Sequence, residues 1–361
     1  MIRWTEAGQQ RSALWRTASG VPPPERVVVA DDGMNAATAY RLACEGTALL
    51  WRGDFQNARQ LLKAMGRRCK PADPAGGFHR HRQAQSQRAR TLGMLLIPYG
   101  EDHVVPLRRA PDLHAACTEV YGQAAPPAVG QLRELLGVIG AHEWRKKGVS
   151  VPALGDRIHP HHGVFSPIRG EYIDLVAQAP LPGDRLAFDV GTGTGVLAAV
   201  LARRGVRHVV ATDLDERAVA CAGDNVSRLG LDDQVEVVRA DLFPPGRAPL
   251  VVCNPPWLPA KPFSPLDHAV YDPGGRMLRG FLGGLGEHLE TAGEGWLILS
   301  DLAEHLGLRT RAELLEEFGR AGLWVAGRMD VAPRHNRPAD EDDPLHAARA
   351  AEVTSLWRLR R

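Results

Sequence analysis

The amino-acid sequence predicts an α/β protein with two domains. Apolar runs of strand length alternate with helix-like stretches between residues 186 and 259. A second, shorter alternation of the same kind covers residues 26–67. The chain has 361 residues, which is more than one such fold needs. We therefore expect an N-terminal α/β domain over residues 1–150 and a second domain over residues 151–361.

The composition excludes several classes of protein. Apolar residues make up 44% of the chain, which excludes global disorder. No run reaches the roughly 18 uninterrupted apolar residues of a membrane span, and the first residues lack the pattern of a secretory signal. The five cysteines are odd in number and contain no C-x-x-C pair. This cysteine usage argues against disulfides and a zinc site, and it favours a cytoplasmic protein.

The N-terminal domain is expected to contain a small, mainly parallel sheet. In chain order, the patterns predict a helix, a strand, a helix, a strand and a helix over residues 1–24, 26–30, 35–45, 47–51 and 54–67. Residues 93–98 and 102–107 are expected to pair as a hairpin. A helix over residues 131–145 ends in three cations, which suit a helix C-terminus and mark the end of the domain.

The second domain is built around a glycine loop. Residues 186–190 form an apolar run typical of a buried parallel strand, and the loop at residues 191–195 reads Gly-Thr-Gly-Thr-Gly. A helix follows over residues 196–204. Such a turn lets a ligand approach the backbone at a helix N-terminus. Val196 occupies the place of the last glycine in G-x-G-x-x-G, so the dinucleotide fingerprint is absent.

Two acidic turns follow the glycine loop. Asp213 ends the next strand, about 20 residues after the first glycine, where a carboxylate can bond ribose hydroxyls. Asp241 and Leu242 follow the strand after that. Either aspartate alone could simply cap a turn. Their order and spacing after the loop favour a nucleotide-like cofactor site.

The motif Asn254-Pro255-Pro256-Trp257 follows an apolar strand that ends at Cys253, which we expect to be a packed thiol. A planar amine or carboxamide nitrogen is a poor nucleophile because its lone pair is delocalised. The Asn254 side-chain oxygen and the Pro255 carbonyl can accept its two N–H bonds, and Trp257 can stack on its π system. A plain strand-ending turn is the alternative, and the preceding cofactor-like loop disfavours it.

Together these motifs resemble class I methyltransferases that use S-adenosylmethionine (SAM), and the last motif resembles the N/D-P-P-Y/F/W signature of enzymes acting on nucleobase or glutamine nitrogens. The resemblance implies a Rossmann-like class I methyltransferase sheet, SAM as cofactor and no metal. It implies Asn254, Pro255, Pro256 and Trp257 as catalytic residues. The implied cofactor contacts are Asp189, Gly191, Thr192, Gly193, Gly195, Asp213, Asp241 (to the adenine amino group), Leu242 (on the ring) and Asn254.

The substrate class stays open between RNA, protein and a metabolite. The segment Gly163-Val-Phe-Ser166 is similar to one in ribosomal RNA guanine N2-methyltransferases, which also carry a degenerate N-terminal copy of the fold. Those enzymes usually have N-P-P-F-H, whereas Trp257-Leu258-Pro259 is closer to the HemK-type glutamine methyltransferases. Our first hypothesis is an exocyclic base amine of ribosomal RNA, and the alternative is a glutamine of a release factor or ribosomal protein; a small metabolite ranks below both.

The basic segment of the N-terminal domain favours RNA. Residues 59–90 contain nine lysines and arginines but one acid, although the whole chain is nearly neutral, with 44 basic and 42 acidic residues. Such a cluster suits phosphate contact, with a solvated helix face as the alternative of similar weight. We expect RNA contacts from Arg80, Arg82, Arg88 and Arg90.

Overall fold

A computed structural model describes residues 1–70, 76–123, 126–262, 267, 269–334 and 343–361. The chain divides into two compact units, Met1–Glu143 and Trp144–Arg361. None of the helices in the described ranges has the length and apolar character of a membrane-spanning segment.

The first unit contains a six-stranded sheet. Its strands are β1 (Ile2–Glu6), β2 (Gln9–Arg16), β3 (Arg26–Ala30), β4 (Thr47–Trp51), β5 (Leu95–Tyr99) and β6 (Ala128–Gln131). Its helices are α1 (Ala36–Cys44), α2 (Phe55–Arg68), α3 (Gly77–Gly93), α4 (His114–Tyr121) and the beginning of α5 (Leu132–Lys147). The strand order is β1-β2-β6-β5-β4-β3. Strands β3, β4 and β5 are parallel, while β6 runs antiparallel to β5.

Two predictions for this unit are wrong. Within the helix predicted over residues 1–24, residues 2–16 form the β1–β2 hairpin instead, because Ile2 and Trp4 are buried while Arg3 and Thr5 are exposed, which is the two-residue period of a strand. Ala7 and Gly8 turn the chain with positive φ angles. The second wrong prediction is the hairpin over residues 93–107, because β5 pairs with β4 and β6 instead.

The second unit contains a seven-stranded sheet. The strands are the small pair β7 (Val149–Val151) and β8 (Asp156–Ile158), and then β9 (Ala187–Val190), β10 (Val209–Asp213), β11 (Val235–Arg239), β12 (Ala248–Cys253), β13 (Leu289–Ser300), β14 (Trp324–Val331) and β15 (Thr354–Arg360). The helices are α6 (Glu171–Gln178), α7 (Val196–Arg203), α8 (Glu216–Arg228), α9 (Arg276–His288), α10 (Leu302–His305), α11 (Arg311–Arg320) and α12 (His346–Ala350).

The strand order in this sheet is β11-β10-β9-β12-β13-β15-β14. Strands β9 to β13 are parallel, and β15 runs antiparallel to both of its neighbours. This order confirms the predicted Rossmann-like class I methyltransferase sheet. A short helix, α12, lies between β14 and β15. The order reverses between β9 and β12, and ligands of open α/β sheets bind beyond the strand ends at such a point.

Apolar side chains cover both faces of the sheet. Successive residues of β12 alternate between two buried clusters, with Val252 packing on the face of α6 and α7 and Val251 on the face of α9 and α11. Cys253 lies in the second cluster as a buried free thiol, as predicted. Burial raises the pKa of Cys253 well above its usual range, so it is a poor nucleophile.

A buried ion cluster joins β13 to β15. Glu294 is fully buried and accepts hydrogen bonds from Arg358 at 2.7 Å and from Arg360 at 2.7 Å. Burial acts to raise the pKa of Glu294, but the bonds from Arg358, Trp296 and Arg360 outweigh it and hold the pKa at about 2. The ionised carboxylate therefore stabilises the antiparallel edge of the sheet.

Glu294→Gln tests this cluster. We expect the free energy of unfolding to fall by about 2 kcal/mol at pH 7, because a charge-assisted pair is lost. The difference from the wild type should vanish as the pH falls from about 4.5 to about 2, where Glu294 itself becomes protonated. Urea unfolding across that pH range measures both. Glu290 lies on the same strand as Glu294 and forms a surface ion pair with Arg185. Glu290→Gln should therefore reduce the free energy of unfolding much less. Equal reductions in the two variants would contradict the stabilising role of Glu294.

Candidate functional site

The site begins with a buried carboxylate at the end of β9. Asp189 is 1% exposed, and its Oδ2 accepts hydrogen bonds from Thr192 Oγ1 at 2.6 Å and from the backbone N–H of Ala198 at 3.0 Å. These two bonds fix the loop of residues 191–195 against the first turn of α7. Burial raises the pKa of Asp189 to about 6. Asp189 therefore stabilises the conformation of the predicted cofactor loop.

The glycine loop has the backbone that its sequence requires. Gly191, Gly193 and Gly195 have φ angles of 73°, 58° and 79°, a region that favours glycine. A Cβ atom on Gly191 would lie 2.4 Å from Met277 Cε, so a side chain there would collide with α9. The N–H groups of Gly191 and Thr192 both donate to the carbonyl of Thr212 at 2.9 Å. The loop is thereby tied to the end of β10.

The carboxylate of Asp213 contacts the glycine loop. Asp213 ends β10, and its Oδ2 accepts from the N–H of Gly193 at 3.0 Å while its Oδ1 accepts from the N–H of Asp215 at 3.0 Å. Burial raises the pKa of Asp213. Each carboxylate oxygen keeps a further lone pair, so Asp213 can still accept from ribose hydroxyls.

The predicted turn at Asp241 and Leu242 lies beside the end of β10. The carbonyl of Leu242 accepts from Thr212 Oγ1, and Leu242 itself has a φ angle of 70°. Its side chain is half-buried and close to α9, since a Cβ on Gly280 would lie 2.8 Å from Leu242 Cδ1. Asp241 is exposed. Their contacts with adenine stay a prediction.

The Asn254 motif leaves β12 beside the glycine loop. Trp257 Nε1 donates to Asn254 Oδ1 at 2.9 Å. Because an indole N–H can only donate, this bond fixes which side of the Asn254 amide carries the oxygen. From the sequence, Trp257 was expected to offer only an aromatic face, and the role of its N–H was not predicted. The signal was available, since tryptophan is the one aromatic of this signature that has a ring N–H.

A polar network backs the indole ring. The guanidinium carbon of Arg169 lies 5.6 Å from the ring centre of Trp257. Arg169 also pairs with the buried carboxylate of Glu352 at 2.9 Å, and Glu352 accepts from Ser300 Oγ at 2.7 Å. The ring packs in addition against both core clusters. Trp257 is thus held from several sides, and Arg169 already occupies one face on which a target was expected to stack.

A second buried carboxylate lies near the loop. Glu171 opens α6 at 3% exposure, and its Oε1 has no hydrogen-bond partner among the described residues. Burial is the main cause of the raised pKa of Tyr172, and the negative charges of Asp189 and Glu171 raise it further. Both carboxylates therefore lie near the Tyr172 hydroxyl. SAM carries a sulfonium and an ammonium group, so an unpartnered buried carboxylate and an open glycine backbone fit it. No sequence pattern had singled out Glu171.

His159 and His161, on either side of Pro160, form hydrogen bonds with other residues of the protein. His159 Nδ1 lies 2.6 Å from the carbonyl oxygen of Arg145, and His161 Nε2 lies 2.9 Å from Asp224 Oδ2. Within the part of the chain that the structure describes, no group of three His, Cys, Asp or Glu side chains is arranged to hold a metal ion.

The basic segment departs from expectation at one arginine. Arg82 is buried at 8% exposure, so its expected place on an exposed face is wrong; it lies on the inner side of α3. Arg80, Arg88 and Arg90 are exposed, and Arg88 also donates to the backbone carbonyl of Gly66.

Known methyltransferases are similar to part of this chain. The family model described as ribosomal protein L11 methyltransferase (PrmA) matches residues 173–271. A release factor glutamine methyltransferase of Cereibacter sphaeroides is 33% identical over 180 residues, covering 46% of this chain and 63% of the relative. A tRNA1(Val) (adenine(37)-N6)-methyltransferase of Bacteroides thetaiotaomicron is 38% identical over 88 residues, covering 23% of this chain and 37% of the relative. The second unit contains a SAM-dependent methyltransferase domain.

The family model and the sequence relatives confirm the predicted enzyme class and cofactor for this domain. A ribosomal protein L11 methyltransferase of Desulforamulus reducens is 46% identical over 73 residues, covering 20% of this chain and 22% of the relative. The solved ribosomal protein L11 methylase of Lactobacillus delbrueckii subsp. bulgaricus aligns with a TM-score of 0.40 at 17% identity, covering 57% of this chain and 86% of that one. The chain spans less than two thirds of the length of these curated relatives.

Asp189→Asn tests the role of the buried charge. The amide keeps an oxygen for Thr192 and Ala198 but removes the negative charge, so we expect SAM affinity to fall about tenfold, or about 1.4 kcal/mol. Wild-type affinity should also fall as the pH drops below about 6, because a bound cation favours ionised Asp189. Isothermal titration calorimetry between pH 5 and pH 8 measures both. The exposed Asp184→Asn serves as control, and an unchanged affinity in the Asp189 variant would contradict the role.

Trp257→Phe tests the bond to Asn254. The variant keeps an aromatic ring but loses the N–H, which is worth about 1 kcal/mol. We expect turnover to fall about fivefold with SAM affinity unchanged, as measured by steady-state kinetics and calorimetry. Trp324→Phe, on the exposed edge strand β14, is the matched control. Full turnover in Trp257→Phe would show that the bond does not position Asn254.

Proposed function

We propose that the protein transfers the methyl group of SAM to a planar nitrogen. One observation carries this proposal: Val190 and Cys253 are direct partners on the parallel strands β9 and β12. Gly191 and Asn254 are therefore the first residues beyond two paired strand ends. The cofactor loop and the Asn254 motif consequently open side by side at one edge of the sheet.

The chain's own residues can bind and orient the target. SAM, when bound, supplies a methyl group on a positively charged sulfur. The loop of residues 191–195, Asp213, and the buried carboxylates of Asp189 and Glu171 would hold it. Asn254 Oδ1 keeps a lone pair beyond the one used by Trp257, and the Pro255 carbonyl is a second acceptor. Two acceptors can orient a planar N–H₂ group, and positioning and water exclusion then supply the rate without a strong general base.

Our first candidate substrate is an exocyclic base amine of RNA, with ribosomal RNA foremost. The basic segment of the first unit supports it, since exposed cations such as Arg59, Lys63 and Arg67 suit a phosphate backbone. In this proposal the region of residues 1–150 recognises the substrate and residues 151–361 carry the chemistry, in the cytoplasm. The tRNA methyltransferase relative is an enzyme named for a base amine, which agrees with this candidate.

A glutamine side chain of a translation protein is the second candidate. The relative with 180 aligned residues is named for glutamine methylation of a release factor. The residues after the prolines, Trp257-Leu258-Pro259, also favour this candidate over one with N-P-P-F-H. Both candidates use the same acceptor pair, so the chemistry at Asn254 is common to them.

Asn254→Ala tests the shared chemistry. Losing one acceptor should misplace the target nitrogen and reduce turnover by about a hundredfold, while SAM affinity stays nearly unchanged. Asn254→Asp is the matched control, because it keeps an acceptor for the Trp257 N–H and for the target; it should retain more turnover than the alanine variant. A collapse of SAM affinity in Asn254→Ala would show that Asn254 holds the cofactor instead.

Fractionation of methylated material separates the two substrate candidates. Radiolabelled SAM and the protein are incubated with lysate from a strain that lacks the gene, and RNA is separated from protein. Label in ribosomal RNA supports the first candidate. Nuclease-resistant label in a protein band supports the second, and label in neither fraction would overturn both in favour of a small molecule.

A further inference from the structure

A basic groove crosses the first unit. It has a volume of about 920 Å³ and lies among α2, α3 and α5. Its floor is apolar, formed by Leu62, Leu92 and Leu136. Its rim is cationic, and the basic residues that line it are Arg59, Lys63, Arg67 and Arg88. No carboxylate lines the groove among the described residues.

Three of the cations form a row along α2. Arg59, Lys63 and Arg67 are spaced four residues apart, which places them on one side of the helix with a rise of about 6 Å between neighbours. All three side chains are exposed. Like charges at this spacing destabilise a helix by about 0.2–0.5 kcal/mol for each pair. A polyanion laid along the row would offset that cost.

No acid of the described chain neutralises this row. Arg59 donates to the side-chain oxygen of Gln56 at 2.9 Å, which leaves its charge uncompensated. Lys63 and Arg67 form no ion pair within the described ranges. Elsewhere on the surface, by contrast, exposed arginines pair with carboxylates, as Arg41 does with Glu45. The groove therefore presents charge that an anionic ligand can use.

Arg88 holds the wall of the groove in place. It donates to the carbonyl of Gly66, which belongs to the last turn of α2 and has no partner within the helix. Gly66 leaves room for this approach, since a Cβ there would lie 2.9 Å from Arg88 Nη2 and the guanidinium would have to shift. This cation at a helix C-terminus is favourable and fastens α3 to α2. Arg88 thus builds the groove, and the row on α2 is left to meet a ligand.

We propose that this groove binds a single strand of RNA, with its phosphates along Arg59, Lys63 and Arg67 and a base on the leucine floor. A positively charged groove that follows the backbone is one feature of sites for single-stranded nucleic acid. In this groove the three leucines offer a base apolar contact in place of aromatic stacking. This inference rests on the proposed function, in which the substrate is RNA. It moves the main contacts from α3, where the sequence placed them, to α2.

Binding of a fluorescein-labelled 12-nucleotide single-stranded RNA to the full chain, followed by anisotropy without SAM, tests the groove. Lys63→Gln/Arg67→Gln should weaken binding by about tenfold or more at 0.1 M KCl. It should also flatten the slope of log affinity against log salt by about 1.4, or roughly 0.7 per phosphate contact. Arg80→Gln/Arg90→Gln removes equal charge from exposed positions of the same segment, outside the groove lining. Equal losses in the two double variants would overturn the proposal.

Competitors decide the chemistry of the ligand. Unlabelled single-stranded RNA should displace the probe, whereas polyglutamate of equal charge and double-stranded RNA should do so poorly. Displacement by polyglutamate as efficient as by RNA would overturn the proposal and indicate an acidic protein surface. Equal thermal melting temperatures of both double variants and the wild type show that all of them are folded.

RNA binding in the groove and methyl transfer to RNA are two proposals that can be rejected independently. The same binding assay on the Asn254→Ala variant should give the wild-type affinity. Groove-dependent binding without label in RNA would leave the groove proposal standing and reject the RNA substrate. Label in RNA together with unchanged affinity of Lys63→Gln/Arg67→Gln would reject the groove and keep the substrate.

Discussion

The pair of hydrogen bonds on Asp189 is the constraint on which the rest of the site depends. They join the end of β9, the glycine loop and the first turn of α7 through one buried oxygen atom. An ionised carboxylate in an apolar core costs stability, and the raised pKa of Asp189 expresses that cost. A cationic cofactor offsets the cost, so the element that shapes the loop also favours the charge of its ligand.

The paired strand ends bring the glycine loop next to the second predicted motif of the candidate site. Because Val190 and Cys253 are partners across β9 and β12, the loop and the Asn254 motif need no long connection to meet. The two prolines keep the turn extended, and Trp257 orients the amide of Asn254 through its N–H. Arg169, Glu352 and Ser300 then hold the indole, so that elements distant in sequence support a single acceptor atom.

The sequence was informative where a role depends on local chemistry. Positive φ angles demand the glycines at 191, 193 and 195, and a parallel sheet places Asp213 beside them, so the loop could be predicted from spacing alone. It was uninformative where a role depends on burial by distant residues. Arg82 is buried, Glu171 Oε1 is buried without a hydrogen-bond partner among the described residues, and residues 2–16 pair as strands that bury Ile2 and Trp4. The possible role of the cation row on α2 could be inferred only from the structure, because the groove beside the row is formed together with α3 and α5.

If the proposed acceptor atom is a planar nitrogen, the position of the transferred methyl group reveals it. Product labelled with [methyl-¹³C]SAM can be digested to nucleosides or amino acids and analysed by mass spectrometry and NMR. We expect the ¹³C-methyl group to be bonded to nitrogen, in an N-methylated base or an N-methylated glutamine. A methyl group bonded to carbon, oxygen or sulfur would contradict the role assigned to Asn254 and Pro255.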